Sequence, residues 1–514
     1  MHPAGNCRSQ TCDFCTDAAD GVRVKPASAL RTTLAFVGIG LICLLFADIE
    51  ITTINPWQEL GRLGLGLIAP DFHALDYVAE ALLRTVAFAF VGVALGAAGG
   101  FLLALVFDWY LVRAGCAFIR AIHELFWALI FLQFFGLHPL TGVLAIAIPF
   151  AGVFAKVYAE ILDEADKSAE QALATGTGLL SRFVYARIPD AWVHLVSYTA
   201  YRLECGLRSS AILGFVGMPT LGFYLQSSFM QGQYGEVGAL LIVFYVLIAT
   251  LRLWVRPLLL PLYLIAAPFL LGSGLPIVWS NVSRFFTHDI VPAPLRHGDG
   301  WLATWDWLLN ILTHQALPGI LSTLVLTQIA LVVTGALTLA AYPLVSRHFT
   351  GRLGGTFGHV LLVIARSTPE YLLAYILLQL WGPSMLPAIV ALSIHNGGII
   401  GHLIGRHSNA LILRPDAPRG LNRYAYEVTP RVYGNFLAFL LYRWEIIMRE
   451  TAILGILGIA TLGFYVDAAM EDIRFDVAMV LILITALLNI GVDALARLIR
   501  RRLHLRTSPV EVAQ

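Results

Sequence analysis

Arg208-Ser-Ser-Ala-Ile-Leu-Gly-Phe-Val-Gly-Met-Pro-Thr-Leu-Gly-Phe-Tyr224 recurs near the end of the chain as Arg449-Glu-Thr-Ala-Ile-Leu-Gly-Ile-Leu-Gly-Ile-Ala-Thr-Leu-Gly-Phe-Tyr465. The copies are 449 − 208 = 241 residues apart, and this register also relates residues outside the quoted stretch. It carries Tyr185, Pro189, Tyr201, Arg202 and Glu204 onto Tyr426, Pro430, Tyr442, Arg443 and Glu445. A shorter repeat, at an offset of 279 − 57 = 222, relates Trp57 to Trp279. The chain therefore contains two copies of one ancestral unit.

The composition places both copies in a lipid bilayer. Hydrophobic residues make up 58% of the 514 residues and charged residues 13%, and the mean hydropathy is +0.75. Such a chain has too little polar surface to cover a soluble particle of this size. About 20 apolar residues cross a bilayer as a helix. The sequence predicts an all-α polytopic membrane protein of about twelve transmembrane helices in two homologous six-helix halves, at 33–53, 84–107, 122–137, 140–160, 190–215, 237–256, 258–280, 317–345, 358–381, 384–404, 432–458 and 475–498.

The distribution of basic residues predicts the orientation, because short loops rich in Lys and Arg stay in the cytoplasm. Lys25 and Arg31 place the N-terminus inside, and an even number of spans returns the C-terminus to the same side. The predicted organisation is a disordered cytoplasmic tail at 1–30, a first repeat at 31–256, a second at 257–504 and a cytoplasmic tail at 505–514.

The sequence lacks the motifs of common enzymes. No lysine follows a glycine, so a P-loop for ATP is excluded, and no His-Glu-x-x-His or Gly-x-Ser-x-Gly pattern occurs. Cys7, Cys12 and Cys15 are spaced like part of some metal sites but lack a fourth nearby ligand, so incidental reduced cysteines are favoured. We expect no catalysis, no metal, no cofactor of the chain's own and no nucleic-acid partner.

A polar, helix-forming segment at 160–189 lies between two apolar spans on the predicted cytoplasmic side. Its Glu170-Gln-Ala172-Leu-Ala-Thr-Gly176, followed after nine residues by Ala186-Arg-Ile-Pro189, resembles the Glu-Ala-Ala…Gly…Ile-x-Leu-Pro loop of bacterial ATP-binding-cassette (ABC) importer permeases. In that family the loop docks into the ATP-hydrolysing subunit. The resemblance implies this coupling role for Glu170, Ala172, Gly176 and Pro189, and a solvated loop helix is the alternative.

The second repeat departs from this motif. At the 241 offset, the segment 411–417 contains Arg414 and a proline but neither the glutamate nor the glycine, whereas the closing Pro430 is retained. Either the second loop docks in a modified way or one docking contact has weakened. We favour modified docking, with Arg414 and Pro430 as coupling residues.

The span after each loop carries charges, which cost about 2.5 kcal/mol each in hydrocarbon even on a lenient scale. Glu204 and Arg208, like Glu445 and Arg449, are spaced i, i+4 with the acid first, the order that favours a helical ion pair. An Arg-x-x-x-Glu sequence also opens the third span of each half. Ion pairs that lock neighbouring helices are one interpretation. The other is a translocation path or inner gate for an anion, formed by Arg120, Glu124, Arg202, Glu204, Arg208, Arg366, Glu370, Arg443, Glu445 and Arg449.

Tyr-Arg-x-Glu followed by Arg-x-x-Ala-Ile-Leu-Gly-x-x-Gly is similar to the permeases of phosphonate ABC transporters, as is the Arg-x-x-x-Glu sequence. The similarity runs from about Thr33 to Arg502. That family is usually glycine-rich after Leu-Gly, whereas this chain keeps only the outer glycines. Glycine serves where backbones approach closely or take positive φ, which is expected in the gate region at Gly214, Gly217, Gly222, Gly455, Gly458 and Gly463.

The resemblance implies a pore-forming permease of the bacterial inner membrane for phosphonates or related small phosphorus oxyanions, such as phosphite. It implies a separate ABC ATPase, in two copies because the chain has two halves, and an extracytoplasmic solute-binding protein. An ion-coupled secondary transporter of a small anion is the alternative, because such transporters also have two related six-span halves. A membrane enzyme is disfavoured by the lack of clustered His, Asp or Cys.

Overall fold

A computed structural model describes residues 26–505 except 54, 73–75, 166–167, 175, 257, 273 and 275. These ranges contain helices and no strand, which confirms the all-α prediction. The expected cysteine-bearing tail and the last nine residues lie outside the described residues, and helix α1 begins at Pro26, within the segment 1–30 expected as a tail. The helices are α1 (Pro26–Leu44), α2 (Pro56–Ile68), α3 (Val78–Ala104), α4 (Tyr110–Ala121), α5 (Glu124–Phe135), α6 (Pro139–Glu164), α7 (Ser168–Gln171), α8 (Leu179–Arg182), α9 (Ile188–Ile212), α10 (Leu221–Met230), α11 (Tyr234–Ala249), α12 (Leu251–Trp254), α13 (Leu260–Leu271), α14 (Trp279–Arg284), α15 (Ala293–His297), α16 (Gly300–Ile311), α17 (Leu317–Val345), α18 (Arg352–Ser367), α19 (Glu370–Trp381), α20 (Met385–Asn409), α21 (Thr429–Ile456), α22 (Leu462–Glu471) and α23 (Phe475–Arg502).

Five helical segments of the described chain are long and apolar enough to cross a membrane: α3, α6, the continuous segment Gly300–Val345, α20 and α23. Two bent pairs, α4–α5 at 88° and α18–α19 at 89°, raise the number to seven if each pair is one span. The expected ninth span, 358–381, is therefore not one straight helix. Pro369 breaks it, because the residue before a proline is driven out of the helical conformation. The first bend ends at His123, whose Nδ1 accepts from the Leu125 N–H at 3.1 Å.

Most helices of the first half have a counterpart in the second half at a similar offset. Helices α10 and α22 begin 462 − 221 = 241 residues apart, and α11 and α23 begin 475 − 234 = 241 apart. Earlier in each half, α5 and α19 begin 370 − 124 = 246 residues apart, as do α6 and α20. The loop between these blocks is therefore 246 − 241 = 5 residues shorter in the second half, which accounts for its departure from the coupling motif.

Four of the predicted glycines allow close backbone packing. A Cβ at Gly222 or Gly463 would overlap a backbone carbonyl near the end of the preceding long helix, α9 or α21. A Cβ at Gly214 or Gly455 would overlap the backbone of the short helix that follows, α10 or α22. Each half therefore contains a helical hairpin whose two backbones touch, as the glycine pattern predicts.

The remaining two glycines make the turn of this hairpin. Gly217 and Gly458 have φ of +88° and +89°, in the left-handed region that other residues rarely adopt. A threonine from an early helix caps each hairpin, because the first N–H of α10 donates to Thr85 Oγ1 at 2.9 Å and that of α22 donates to Thr323 Oγ1 at 3.0 Å. The hairpins are therefore built identically in both halves.

The first helix of each half packs against the other half. Helix α1 lies on α17, where Thr33 Oγ1 and Tyr433 OH share a hydrogen bond of 2.6 Å and Gln328 Nε2 donates to Phe36 O at 2.9 Å. Helix α13 lies on α3, where the rings of Phe90 and Tyr263 are 5.4 Å apart. Because each half packs its first helix against the other half, the two halves are interlocked.

The hairpin packing predicts that Gly463→Ala destabilises the protein. The added methyl group would overlap the backbone of α21, and overpacking costs about 1–3 kcal/mol or more. Thermal unfolding in detergent should show a clearly lower midpoint. Gly491→Ala is the matched control, because no atom lies within 4 Å of its added Cβ and alanine favours a helix. Equal midpoints for the two variants would contradict the packing.

Candidate translocation cavity

A cavity of about 340 Å³ lies between the two halves. Helices α4, α5, α6 and α9 of the first half line it together with α19, α20, α21 and α23 of the second half. Two of the ten residues predicted for the path, Glu204 and Arg366, are not in its lining. The other eight line it: Arg120, Glu124, Arg202, Arg208, Glu370, Arg443, Glu445 and Arg449. Residues up to 449 − 120 = 329 positions apart in the sequence thus meet in one place.

The expected i, i+4 ion pairs are not formed. Among the described residues, neither Glu204 with Arg208 nor Glu445 with Arg449 comes within 4.0 Å. Glu445 instead lies 3.7 Å from Arg120, which enters from the end of α4 in the other half. The expectation was wrong because it considered one helix alone, whereas the cavity brings a partner from across the interface.

Arg120 joins the two halves at the side of the cavity. Its Nη2 donates to Asp493 Oδ2 of α23 at 3.1 Å, and its own carbonyl accepts from Arg449 Nη1 at 3.1 Å. The adjacent Ala121 carbonyl accepts from Asn489 Nδ2 at 2.7 Å. The C-terminal end of α4 is therefore held by α21 and α23 through charged and polar groups.

Four other arginines of the cavity keep unused hydrogen-bonding capacity. Within the described part of the chain, no carboxylate lies within 4.0 Å of the guanidinium of Arg202, Arg208, Arg443 or Arg449. Arg202 lies 4.3 Å from the centre of the Phe150 ring, and its Nε has no hydrogen-bond partner. Arg202 corresponds to Arg443, and Arg208 to Arg449, so the cavity presents two repeated pairs of cations with donors available to an anion.

The acidic groups of the cavity are distributed unequally. In the first half, Glu124 Oε1 accepts from Ser209 Oγ at 2.5 Å. In the second half, the counterpart of Ser209 is Glu450, which lies in one cluster with Glu370 and His395. The prediction missed His395 and Glu450. A histidine and an extra glutamate inside apolar spans were the available signal, because such groups are expensive in a membrane.

Aromatic residues from the two halves contact each other beside the cavity. Tyr371 lies in its wall, is 2% exposed and meets Phe215 of the other half edge to face, with ring centres 5.1 Å apart. Phe215 also contacts Tyr375 at 6.2 Å. Phe215 belongs to the turn between α9 and α10, so the glycine hairpin of the first half contacts Tyr371 of the cavity wall.

The loop between α6 and α9 contains the four residues predicted for coupling. Its helix α7 is a single turn, and Glu170 in it lies 3.7 Å from Arg182. Ala172 is exposed, and Gly176 turns the chain with φ of +106°. Pro189 is at the second position of α9, where a proline suits the start of a helix.

The second loop has a different internal structure. The buried carboxylate of Glu427 accepts from Arg414 Nε at 2.9 Å and from Arg431 Nη1 at 3.0 Å. Burial raises the pKa of Glu427, but the hydrogen bonds from Arg414 and Arg431 outweigh it and lower that pKa below the ordinary value of 4.5. Gly420 turns this chain with φ of +63°, and Pro430 is at the second position of α21. Charged hydrogen bonds thus order a loop that has lost the motif.

Both loops expose a leucine and a tyrosine at corresponding positions. Leu180 and Tyr185 are 74% and 78% exposed, and Leu421 and Tyr426, each 241 residues later, are 79% and 74% exposed. The apolar pair therefore survives in the second half although the glutamate and glycine of the motif do not. We name these residues the loop pairs.

Relatives of the chain are membrane permeases of phosphorus oxyanion import systems. The phosphate-import permease protein PhnE of Mycolicibacterium smegmatis is 26% identical over 422 residues, which are 76% of this chain and 77% of that protein. From Stutzerimonas stutzeri, the putative phosphite transport system permease proteins HtxE and HtxC are 36% and 30% identical. Their matches cover 28% and 33% of this chain and 56% and 67% of those proteins.

No family model and no solved structure matches the chain. The relatives nevertheless agree with one another and with the resemblance found in the two repeats. The HtxC match reaches 30% identity and covers two thirds of that protein. The chain therefore belongs to the phosphonate-type family of ABC importer permeases.

Proposed function

We propose that this permease conducts small phosphorus oxyanions through the cavity between its halves, as part of an ABC importer in the bacterial inner membrane. The observation that carries the proposal is the set of four cavity arginines, at repeated positions, without a carboxylate within 4.0 Å in the described chain. Fixed guanidinium groups in a water-poor site stabilise an anion more strongly than the same groups in bulk solvent. Relatives named for phosphate and phosphite import support this chemistry.

The proposed topology has twelve spans, with both termini in the cytoplasm. In this arrangement the contact between Phe215 and Tyr371 closes the cavity toward the outside. A solute-binding protein delivers the anion to that side, and separation of the two aromatic rings admits it. The chain supplies the pathway and no hydrolytic chemistry.

Energy comes from two copies of a separate ABC ATPase, one at each cytoplasmic loop. The proposal of two copies rests on the repeated loop pairs, since an exposed leucine and tyrosine at equal positions offer two similar apolar contacts. The loops lead through Pro189 and Pro430 directly into α9 and α21, which carry the cavity arginines. ATPase closure can therefore move the arginines without an intermediate element.

Reconstitution tests the function as a whole. The chain, an ATPase encoded beside it and the matching binding protein are placed in proteoliposomes, and uptake of phosphite and methylphosphonate is measured. Accumulation that requires ATP and stops with vanadate is the expected result. Accumulation that needs an ion gradient and ignores ATP would favour a secondary transporter and overturn the proposal.

Replacement of Arg208 and Arg449 together by alanine should abolish oxyanion uptake. Each arginine supplies charge-assisted hydrogen bonds worth about 1.5–3 kcal/mol, so uptake is expected to fall by at least about a hundredfold. Co-purification with the ATPase should persist, because neither residue lies in a cytoplasmic loop. Arg62→Ala serves as the control, since Arg62 is exposed and paired with Glu59 away from the cavity. Normal uptake by the double variant would show that the anion does not use these groups.

Removal of one loop pair should remove one ATPase copy. Leu421→Ala with Tyr426→Ala is expected to change the complex from two ATPase copies to one, measured by native mass spectrometry, because the apolar contact at that loop is lost. Leu180→Ala with Tyr185→Ala should do the same at the first loop.

The control for this experiment is another exposed pair, Tyr110 and Leu111 of α4, which are 76% and 80% exposed. Their replacement by alanine should leave two copies bound. If the variant with Leu421→Ala and Tyr426→Ala still binds two ATPase copies, the second loop docks through other residues.

Glu427→Gln should weaken the second loop in a pH-dependent way. The folded-state pKa of Glu427 is lowered, so its stabilising contribution is full above the ordinary value of 4.5 and disappears as pH falls through the folded-state value. Thermal unfolding should therefore separate the variant from the parent at pH 7 and bring them together in acid below pH 4.5. Glu80→Gln, whose partner Arg84 is at the periphery, should show little difference at either pH.

A further inference from the structure

A second cavity, of about 590 Å³, lies where the first helix of the second half packs on the first half. Helices α3 and α11 of the first half form two of its walls, and α13 forms the third. Phe72, before α3, and Trp254 of α12 complete the lining. Among the described residues, this cavity and the charged cavity between the halves share none. We call it the apolar cavity.

The lining of the apolar cavity does not suit water. Of its described lining residues, only Thr250, Trp254 and Tyr263 carry a polar side-chain atom. Thr250 Oγ1 donates to the Val246 carbonyl at 2.6 Å, and Tyr263 OH donates to the Trp254 carbonyl at 2.9 Å. Both hydroxyl protons are therefore used within the protein. A buried water needs two to four polar partners, so the occupant of this cavity is apolar.

The apolar cavity has a buried floor and an exposed rim. Ala87 and Ala267 in the floor are 1% and 3% exposed, whereas Leu83, Val246 and Leu270 at the rim are 47%, 54% and 39% exposed. Helix α3, which carries part of both, is long and apolar enough to cross a membrane. Exposed leucine and valine side chains of such a helix face hydrocarbon. The cavity therefore opens to the lipid.

The gap between α3 and α13 follows from the sizes of their side chains. The ring of Phe90 lies 5.4 Å from that of Tyr263 and 6.1 Å from that of Trp254, so aromatic rings separate the helices at this level. One turn away, Ala87 lies on the same face of α3 as Phe90, and Ala267 lies on the same face of α13 as Tyr263. Large rings thus set a distance that the alanines of the next turn cannot fill.

The equivalent contact in the other half, α1 on α17, is closer. The threonines that cap the two hairpins define an offset of 323 − 85 = 238, at which Gln328 takes the place of Phe90. Gln328 Nε2 donates to the Phe36 carbonyl at 2.9 Å. A Cβ at Gly40 of α1 would lie only 2.9 Å from the side chain of Val332 of α17. A hydrogen bond and a glycine thus bring α1 against α17, whereas aromatic rings hold α13 away from α3.

The volume of the apolar cavity selects its occupant. An empty space of about 590 Å³ would deprive its walls of packing contacts, at a free-energy cost that grows with volume. An α-helix with its side chains is about 10–12 Å wide, so a space of about 590 Å³ holds little more than one turn of it. A helix of another subunit is therefore too large, whereas a flexible hydrocarbon chain from the bilayer enters through the exposed rim.

We infer that the apolar cavity binds one acyl chain of a membrane phospholipid. The chain fills the space between α3, α11 and α13 and completes the packing of the second half on the first. The inference rests on the position of these helices in a membrane. It is independent of the proposed transport of oxyanions, because no residue of the apolar cavity belongs to the set of charged residues predicted for the path.

The first test uses the unaltered chain. The permease is placed in nanodiscs that contain a phospholipid with a photoreactive diazirine on one acyl chain, and labelled peptides are identified by mass spectrometry. Segments 82–90, 242–247 and 263–270 are expected to carry about tenfold more label than the segment with Leu483 and Leu487, because a bound lipid resides longer than a passing one. Leu483 and Leu487 are the exposed counterparts of Ile242 and Val246 at the 241 offset.

A second test fills the cavity with protein. Ala267→Phe places a ring where the acyl chain is proposed to lie. Native mass spectrometry of the detergent-purified chain is expected to find one retained phospholipid on the parent and none on this variant. Washing with detergent should lower the midpoint of thermal unfolding of the parent and leave that of Ala267→Phe nearly unchanged, because the ring replaces the lost packing. Leu487→Phe, on the exposed face of α23, is the matched control and should retain the lipid.

The outcomes decide the inference without reference to transport. Equal labelling of the compared segments, or a phospholipid retained equally by Ala267→Phe and the parent, would overturn it. Recovery of a different apolar molecule from the parent in place of a phospholipid would also overturn it. If Ala267→Phe does not fold, the labelling of the unaltered chain decides. Uptake of phosphite by the reconstituted system tests the proposed function separately.

Discussion

The burial of arginine side chains in a membrane protein is the constraint on which the rest of the structure depends. A charged group in hydrocarbon is so costly that it must face protein or water. Arg202, Arg208, Arg443 and Arg449 therefore oblige α9 and α21 to face the interface between the halves, not the lipid. The cavity follows from this, since four cations without carboxylate partners repel one another and prevent tight closure.

The repeated glycines in the sequence predict close backbone approach or positive φ, but not the hairpins that they form. Gly217 and Gly458 do take positive φ, and eight of the ten charged candidates line one cavity. The ion-pair partners of these residues could not be predicted from the spacing of charges along one helix. The spacing of Glu445 and Arg449 favours a local ion pair, yet Arg120 from the other half takes Glu445. Contacts between distant segments depend on packing, which helical periodicity does not specify.

The loops illustrate a second limit of sequence reasoning. A uniform offset of 241 was applied to the coupling loop, although five residues are missing there and the register changes from 246. From the lost motif alone, modified docking, which we favour, and a weakened contact both remain open. The structure adds that Glu427, Arg414 and Arg431 are joined by charged hydrogen bonds in this loop. Sequence similarity detects residues that are retained, whereas the hydrogen bonds that take the place of a lost motif are seen only in the structure.

Fusion of two halves permits them to diverge, and the acidic groups show that they have. Two identical subunits would place either Ser209 or Glu450 on both sides of the cavity, whereas one chain can place a hydroxyl on one side and a carboxylate on the other. The polar contacts beside the cavity also differ between the two sides. On one side, Arg120 holds α4 to α23 through Asp493, while on the other Tyr245 OH shares a hydrogen bond of 2.7 Å with Thr368 Oγ1.

These unequal contacts affect how the two halves can move relative to each other. Helices α9 and α21 are 25 and 28 residues long, begin at the two candidate coupling loops and end at the glycine hairpins. Each helix is therefore a stiff connection between a loop and the glycine hairpin of the same half. The charged contact at Arg120 binds α4 to α21 and α23, and the exchanged helices α1 and α13 prevent the halves from separating completely. In the proposed transport cycle, these contacts favour rotation of the halves about their interface, to which the two halves can contribute different amounts.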